Sequence, residues 1–171
     1  TITVQESKDY IFKVYDNVGN ITNKVVTITK IDDTAPLLDI VYDDMLWSKS
    51  KTIKISAEDS QSGVKSIQLP DGTVVEASST EITVTENGPY EFKILDNIGN
   101  ERVAVVNISK IDKTAPIIGV NYNKSDWSKN ISIEVTANDL ESGIAKIELP
   151  DGRFVSAESA LYSVTENGEY T

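Results

Sequence analysis

Lys30-Ile31-Asp32-Asp33-Thr34-Ala35-Pro36 returns, with one substitution, as Lys110-Ile111-Asp112-Lys113-Thr114-Ala115-Pro116. The offset of about 80 residues carries Trp47 onto Trp127 and Asp59 onto Asp139. It also carries Leu69-Pro70-Asp71-Gly72 onto Leu149-Pro150-Asp151-Gly152, and Tyr10 onto Tyr90 and then Tyr170, with no insertion or deletion. A long, gapless period is the signature of one folding unit repeated in tandem. Residues 32–111 make the one complete repeat. Residues 1–31 match its C-terminal part and residues 112–171 its N-terminal part, so the chain reads as an excerpt from a longer polypeptide.

The complete repeat is a succession of short alternating or β-branched segments separated by turn residues, which predicts strands. They run over 37–42, 52–57, 64–69, 74–77, 81–85, 90–94 and 102–108. Ile53, Ile55 and Ala57 share one face of the second strand, and Tyr90, Phe92 and Ile94 one face of the sixth. Pro70-Asp71-Gly72, Asn87-Gly88 and Asp96-Asn97-Ile98-Gly99-Asn100 supply turns. The doublet Val105-Val106 interrupts alternation and allows a bulge. No stretch has helical periodicity over a helix's length. The expected fold is all-β, with about seven strands per repeat packed as a β-sandwich.

Composition narrows the function. The chain has neither Cys nor His. Disulfides are excluded, and so are the usual general base and transition-metal ligand. The formal net charge of −11 offers no basic face for nucleic acid. The longest apolar runs, such as Val103 to Val106, are too short to span a bilayer, so direct membrane insertion is not expected. Ser, Thr, Lys and Asp residues form no nucleophile, base and orienting group in sequence, and the chain reads as a non-enzyme.

Five motifs together resemble the tandem bacterial immunoglobulin-like repeats of secreted and cell-wall-attached proteins. They are Asp-x-Thr-Ala-Pro at 32 and 112, Trp-Ser at 47 and 127, and Ala-x-Asp-x-x-Ser-Gly at 57 and 137. Glu-Asn-Gly-x-Tyr at 86 and 166 and Asp-Asn-x-Gly-Asn at 16 and 96 complete the set. The resemblance covers the whole chain. It implies tandem immunoglobulin-like sandwiches, partial at both ends, and an extracellular place on a bacterial surface or in the secreted fraction. Tyr90, at the start of the sixth strand, stands where that fold keeps its tyrosine corner. The chain departs from antibody domains in lacking the cysteine pair and in placing Trp before the second strand.

Immunoglobulin topology brings the start of the repeat, the loop after its second strand and the loop before its last strand to one end. Asp32, Asp33, Glu58, Asp59, Asp96, Asn97 and Asn100 would meet there. That many hard oxygen donors suit Ca²⁺, which takes six to eight. Resemblance to giant bacterial adhesins likewise implies calcium-stiffened junctions. The competing reading is turn chemistry, with Asp and Asn side chains capping their own loops. In the third segment Lys113 replaces Asp33 and Asn138 replaces Glu58, which weakens a metal reading there. Trp47 and Trp127 are glycan-stacking candidates. The alternatives are a Trp closing the core or packing on a neighbouring repeat.

The expected role is mechanical: spacer or stalk repeats of an extracellular bacterial surface protein or adhesin, with calcium as the candidate stiffener. The expected partners are neighbouring repeats of the same chain. The alternative is a carbohydrate- or protein-binding module of a secreted enzyme or adhesin, gripping host or cell-surface glycan or protein. The short proline-bearing connector between Ile111 and Ile117 favours the spacer. Cut off from neighbours, segments 1–31 and 112–171 are expected to expose apolar faces and open sheet edges.

Overall fold

A computed structural model describes all 171 residues. The chain is all-β, with no helix and therefore no helix long and apolar enough to cross a membrane. It divides into two compact units. One comprises Thr1–Asp44 and Lys51–Ser109, the other Met45–Ser50 and Lys110–Thr171.

The first unit opens with an antiparallel hairpin, β1 (Asp9–Tyr15) and β2 (Ile21–Thr27). Seven strands follow: β3 (Leu37–Val41), β4 (Lys51–Glu58), β5 (Val64–Gln68), β6 (Val74–Val75), β7 (Ser79–Val84), β8 (Gly88–Asp96) and β9 (Glu101–Ile108). They form two antiparallel sheets, ordered β3-β4-β7 and β6-β5-β8-β9, consistent with a β-sandwich. Strand β4 alternates strictly, burying Lys51, Ile53, Ile55 and Ala57 and exposing the residues between. From the other sheet Ile67, Phe92, Ile94, Val106 and Ile108 are buried. Both sheets thus contribute one apolar face to the core, as period-two patterning requires.

Two local expectations change. The Val105-Val106 doublet carries no bulge, because the β8–β9 register runs unbroken from Gly88↔Ile108 to Leu95↔Glu101. Ala104, Val106 and Ile108 face inward, and Val105 is simply an exposed β-branched residue of the kind strands tolerate. The irregularity lies instead between Val64 and Ser66 in the β5–β8 ladder. Strand β6 stops at Val75 and does not reach Ala77, because Ala77 N–H donates to Val75 O at 3.0 Å and turns the chain away.

The second unit contains β10 (Ile117–Asn121), β11 (Ile131–Asn138), β12 (Ile147–Glu148), β13 (Phe154–Val155) and β14 (Ser159–Val164). Its sheets are ordered β10-β11-β14 and β12-β13. Ile147, Leu149 and Ala160 form its buried cluster, with Val135, Ala137, Ile144, Val155 and Tyr162 packed against it. Strand β11 keeps the alternation of β4, but its inward positions are only half-buried.

Candidate functional site

The site is built from three turns of the first unit. At the start of the repeat, Asp32 Oδ1 accepts from Thr34 N–H at 3.0 Å and from the Thr34 hydroxyl at 2.8 Å. This is the Asx-turn chemistry that Asp-x-Thr encodes. After β4, Asp59 Oδ1 accepts from the N–H groups of Gln61, Ser62 and Gly63 at 2.9, 2.8 and 2.9 Å. Between β8 and β9, Asp96 Oδ1 accepts from Ile98, Gly99 and Asn100 N–H at 3.0, 2.6 and 2.8 Å. Asn100 Nδ2 donates to the other Asp96 oxygen at 2.7 Å.

Cross-links then pull the three turns together. Ser62 N–H is shared, donating to Asp32 Oδ2 at 3.1 Å as well as to Asp59. Asn97 Nδ2 donates to the carbonyls of Ser62 and Gly63 at 2.8 and 3.1 Å. Asn100 Nδ2 lies within 3.3 Å of Asp32 O and 3.2 Å of Thr34 O. Gln61 Nε2 donates to the Thr34 hydroxyl at 2.9 Å. Gly63 is needed here on two counts. Its φ of +80° is left-handed, and a Cβ would sit 3.3 Å from Asn97 Nδ2.

One ligand atom from each of Asp32, Asp59 and Asp96 lies within 4.8 Å of the others. These three are the expected candidates that the fold brings together. Asp33 and Glu58 are exposed and outside the trio. Glu58 lines an open groove with Ala57, Asp59, Ser60, Val64 and Ser78. Asn97 and Asn100 stand at the site, but their amide nitrogens lace main-chain carbonyls. In oxygen type and spacing the carboxylates fit a hard cation. In hydrogen bonding they already serve as turn acceptors.

The electrostatics follow from those donors. The Thr34 N–H, followed by the hydrogen bonds from Ser62, holds the Asp32 carboxyl below the usual carboxylate range. Burial pushes Asp96 up. The backbone and side chain of Asn100, with the N–H groups of Ile98 and Gly99, outweigh it and hold Asp96 low. Both carboxylates are therefore charged at neutral pH although they converge.

The same turns recur in the second unit. Asp112 accepts from Thr114 N–H and hydroxyl, both at 2.8 Å, and from Ser142 N–H at 3.1 Å. Asp139 accepts from Glu141 and Gly143 N–H, each at 3.0 Å. The bonds from Ser142, then those from Thr114, hold the Asp112 carboxyl far below its ordinary value. The substitutions Lys113 and Asn138 leave this lacing intact, because neither Asp33 nor Glu58 takes part in the first copy. Tyr10, Tyr90 and Tyr170 each donate a hydroxyl to the carbonyl four residues upstream, at 3.0, 2.8 and 2.8 Å. The hydroxyl thus ties the start of each tyrosine's segment to the chain just before it.

The tryptophans do not close the core. Trp127 is fully exposed at 101 % and Trp47 is 42 % exposed. Trp47 belongs to the segment Met45–Ser50, which is held against the connector Lys110–Asp112. Ser48 N–H donates to Lys110 O, and Asp112 N–H to Ser48 O, both at 3.0 Å, making a parallel bridge of Ser48 with Ile111. Lys110 Nζ donates to Met45 O at 3.0 Å. Ile111 and Asp112 are buried. Sequence reasoning missed this clamp, since a lone Ser in a loop carries no signal for main-chain pairing. Lys110, at φ 61°, and its counterpart Lys30, at φ 69°, share a left-handed backbone that no Lys announces.

No model of a known protein family matches the chain, and no curated protein matches it.

Proposed function

We propose that the chain is a run of tandem immunoglobulin-like repeats acting as a spacer in an extracellular bacterial surface protein, with no catalytic role of its own. The sheet orders β3-β4-β7 and β6-β5-β8-β9, with a tyrosine corner at the sixth of those strands, support the immunoglobulin-like reading. The observation that carries the spacer role is the clamped connector. Asp112 donates its N–H to Ser48, while its carboxylate gathers Thr114 and Ser142. The burial of Ile111 and the main-chain bonds at Lys110 and Asp112 hold the connector itself in one conformation, in addition to the restriction that Pro116 imposes.

Backbone ¹⁵N relaxation tests this reading. A spacer joint gives residues 110–116 order parameters close to those of β4 and β8, about 0.85. Values below about 0.6 at the connector would overturn it. Replacing Asp112 with Ala is expected to lower them without melting β4 or β8.

Calcium belongs to the same proposal as a stiffener, on the strength of the carboxylate spacing alone. A ligand that binds only the folded state raises its melting temperature. A rise in Ca²⁺ over chelator that is lost in Asp59→Asn supports the ion, and identical melts assign the trio to turn chemistry. The rival reading, a module binding host or cell-surface glycan or protein, has the exposed Trp127 in its favour. Saturable glycan quenching of its fluorescence, abolished in Trp127→Ala, would establish that reading.

A further inference from the structure

We propose, resting on the spacer reading, that tension through the complete repeat is shunted along its first and last strands, β3 and β9. Hydrogen-bonded latches at the entry and the exit do this, and the core between them is spared the load. Every residue concerned lies in the complete repeat or in the connectors on either side of it.

The entry latch joins the start of the repeat to β9. Pro36 is fully buried and leads into β3, and its carbonyl accepts from Arg102 Nε at 2.6 Å. A guanidinium donor makes this a charge-assisted bond, one of the stronger kinds. Asn100 Nδ2 lies within 3.3 Å of Asp32 O and 3.2 Å of Thr34 O. Arg102 is in β9, and Asn100 immediately precedes that strand. Strands β3 and β9 belong to different sheets, so no ladder joins them. A pull on the entry therefore reaches β9 directly, without passing through the strands between.

Strand β9 then leads straight to the exit, since it ends at Ile108, two residues before Lys110. The exit latch opens a second path. Ser48 N–H donates to Lys110 O and Asp112 N–H to Ser48 O, both at 3.0 Å, and Lys110 Nζ donates to Met45 O at 3.0 Å. The Ser48 hydroxyl donates to Ser50 O at 2.6 Å and so braces the turn that presents its main chain. The bridge of Ser48 with Ile111 is parallel, so a pull along the connector shears its two main-chain bonds together. Load at the exit thus passes to Ser48 and back along the chain to β3.

The two paths act in parallel. One runs from the entry through Arg102 and β9, the other through β3 and Ser48. The core residues Ile53, Ile55, Phe92 and Ile94 lie on β4 and β8, outside both. The repeat opens only when both paths fail.

The chain has no cysteine, so introduced pairs give unique handles for single-molecule force measurements. Thr29→Cys with Ala115→Cys pulls from outside both latches, and Leu37→Cys with Asn107→Cys from inside them, all at exposed positions. At one fixed force the wild-type repeat should last about tenfold longer or more through the outer pair than through the inner. Through the outer pair, Arg102→Met and Ser48→Pro should each speed unfolding about threefold, as loss of a hydrogen bond does. Combined, they should exceed the product of the two, because each latch backs up the other. Lys110→Met keeps the backbone donors and removes only the Nζ contact. It probes the exit latch independently of the proline and should speed unfolding about twofold. Through the inner pair none of these substitutions should change the lifetime.

Equal wild-type lifetimes through the two handle pairs overturn the proposal. So do substitutions that act alike through both pairs, which is what a merely structural contact would give, and a double variant no faster than the product. Equal lifetimes with an ordered connector at 110–116 would sink the latches and leave the spacer reading standing. Unequal lifetimes with a mobile connector would sink the spacer reading alone.

Discussion

Hairpins β1–β2 and β8–β9 are the same object in two surroundings. Their registers agree pair for pair, their tyrosines reach the carbonyl four residues back, and Asp16 and Asp96 cap their turns alike. Yet Asp96 and Phe92 are wholly buried, while the residues of β1 and β2 are almost all exposed. The comparison separates what the hairpin makes for itself from what neighbouring strands give it. Turn and register come from contacts a few residues apart. Burial comes from β5 and the sheet that β4 anchors.

The largest test of that separation is Phe92→Ala, which should cost about 3–5 kcal/mol in chemical denaturation because it empties a packed site. Phe12→Ala should leave the denaturation midpoint of the monomer within error. Equal effects at the two positions would break the comparison. Next comes Asp96→Ala, which removes the buried carboxylate that gathers three main-chain N–H groups of a part-buried turn and should cost about 2 kcal/mol. At Asp16 the same change hands those groups to water, and the melting temperature should not move.

Tyr90→Phe, which removes one hydroxyl contact, should cost about 1 kcal/mol. The smallest effect is in acid. Folded-state pKa values lie below the unfolded ones at Asp32, Asp96 and Asp112, so these carboxylates stabilise the fold above about pH 4. That stability should be flat near neutrality and should fall away as the pH drops below about 4. The Asp16 carboxyl is held low by the side chain and then the backbone of Asn20, so its carboxyl carbon shift should also stay ionised to unusually low pH.

Much of this was legible in the sequence, because the gapless period copies each residue together with its place. The alternation of Ile53, Ile55 and Ala57 predicts their burial, and the recurrence of Tyr at 10, 90 and 170 marks a hydroxyl contact that all three make. The repeat pattern gathers Asp32, Asp59 and Asp96 at one end, and a ligand atom of each does lie within 4.8 Å of the others. What escaped was whatever depends on main-chain direction. A sequence shows that Asn97 and Asn100 are amides, not that their nitrogens face carbonyls. It shows Val105-Val106, not that the ladder passes through it undisturbed. Trp47 and Trp127 read alike, and only the segment that Lys110–Asp112 meets sets them apart. The left-handed Lys30 and Lys110 belie a residue type with no preference for that backbone.

The capped turn between β8 and β9 has a consequence for the order of events in folding. Its contacts span two to four residues and close almost no loop, so they form at little entropic cost. The pairing of Ile53 with Ile82, in contrast, waits on a long closure. The hairpin is accordingly expected to form first. Substitutions at Asp96 should lower the refolding limb of a chevron plot, and those at Ile53 should raise the unfolding limb. A chain that carries two such turns, at Asp16 and Asp96, has two places from which to start.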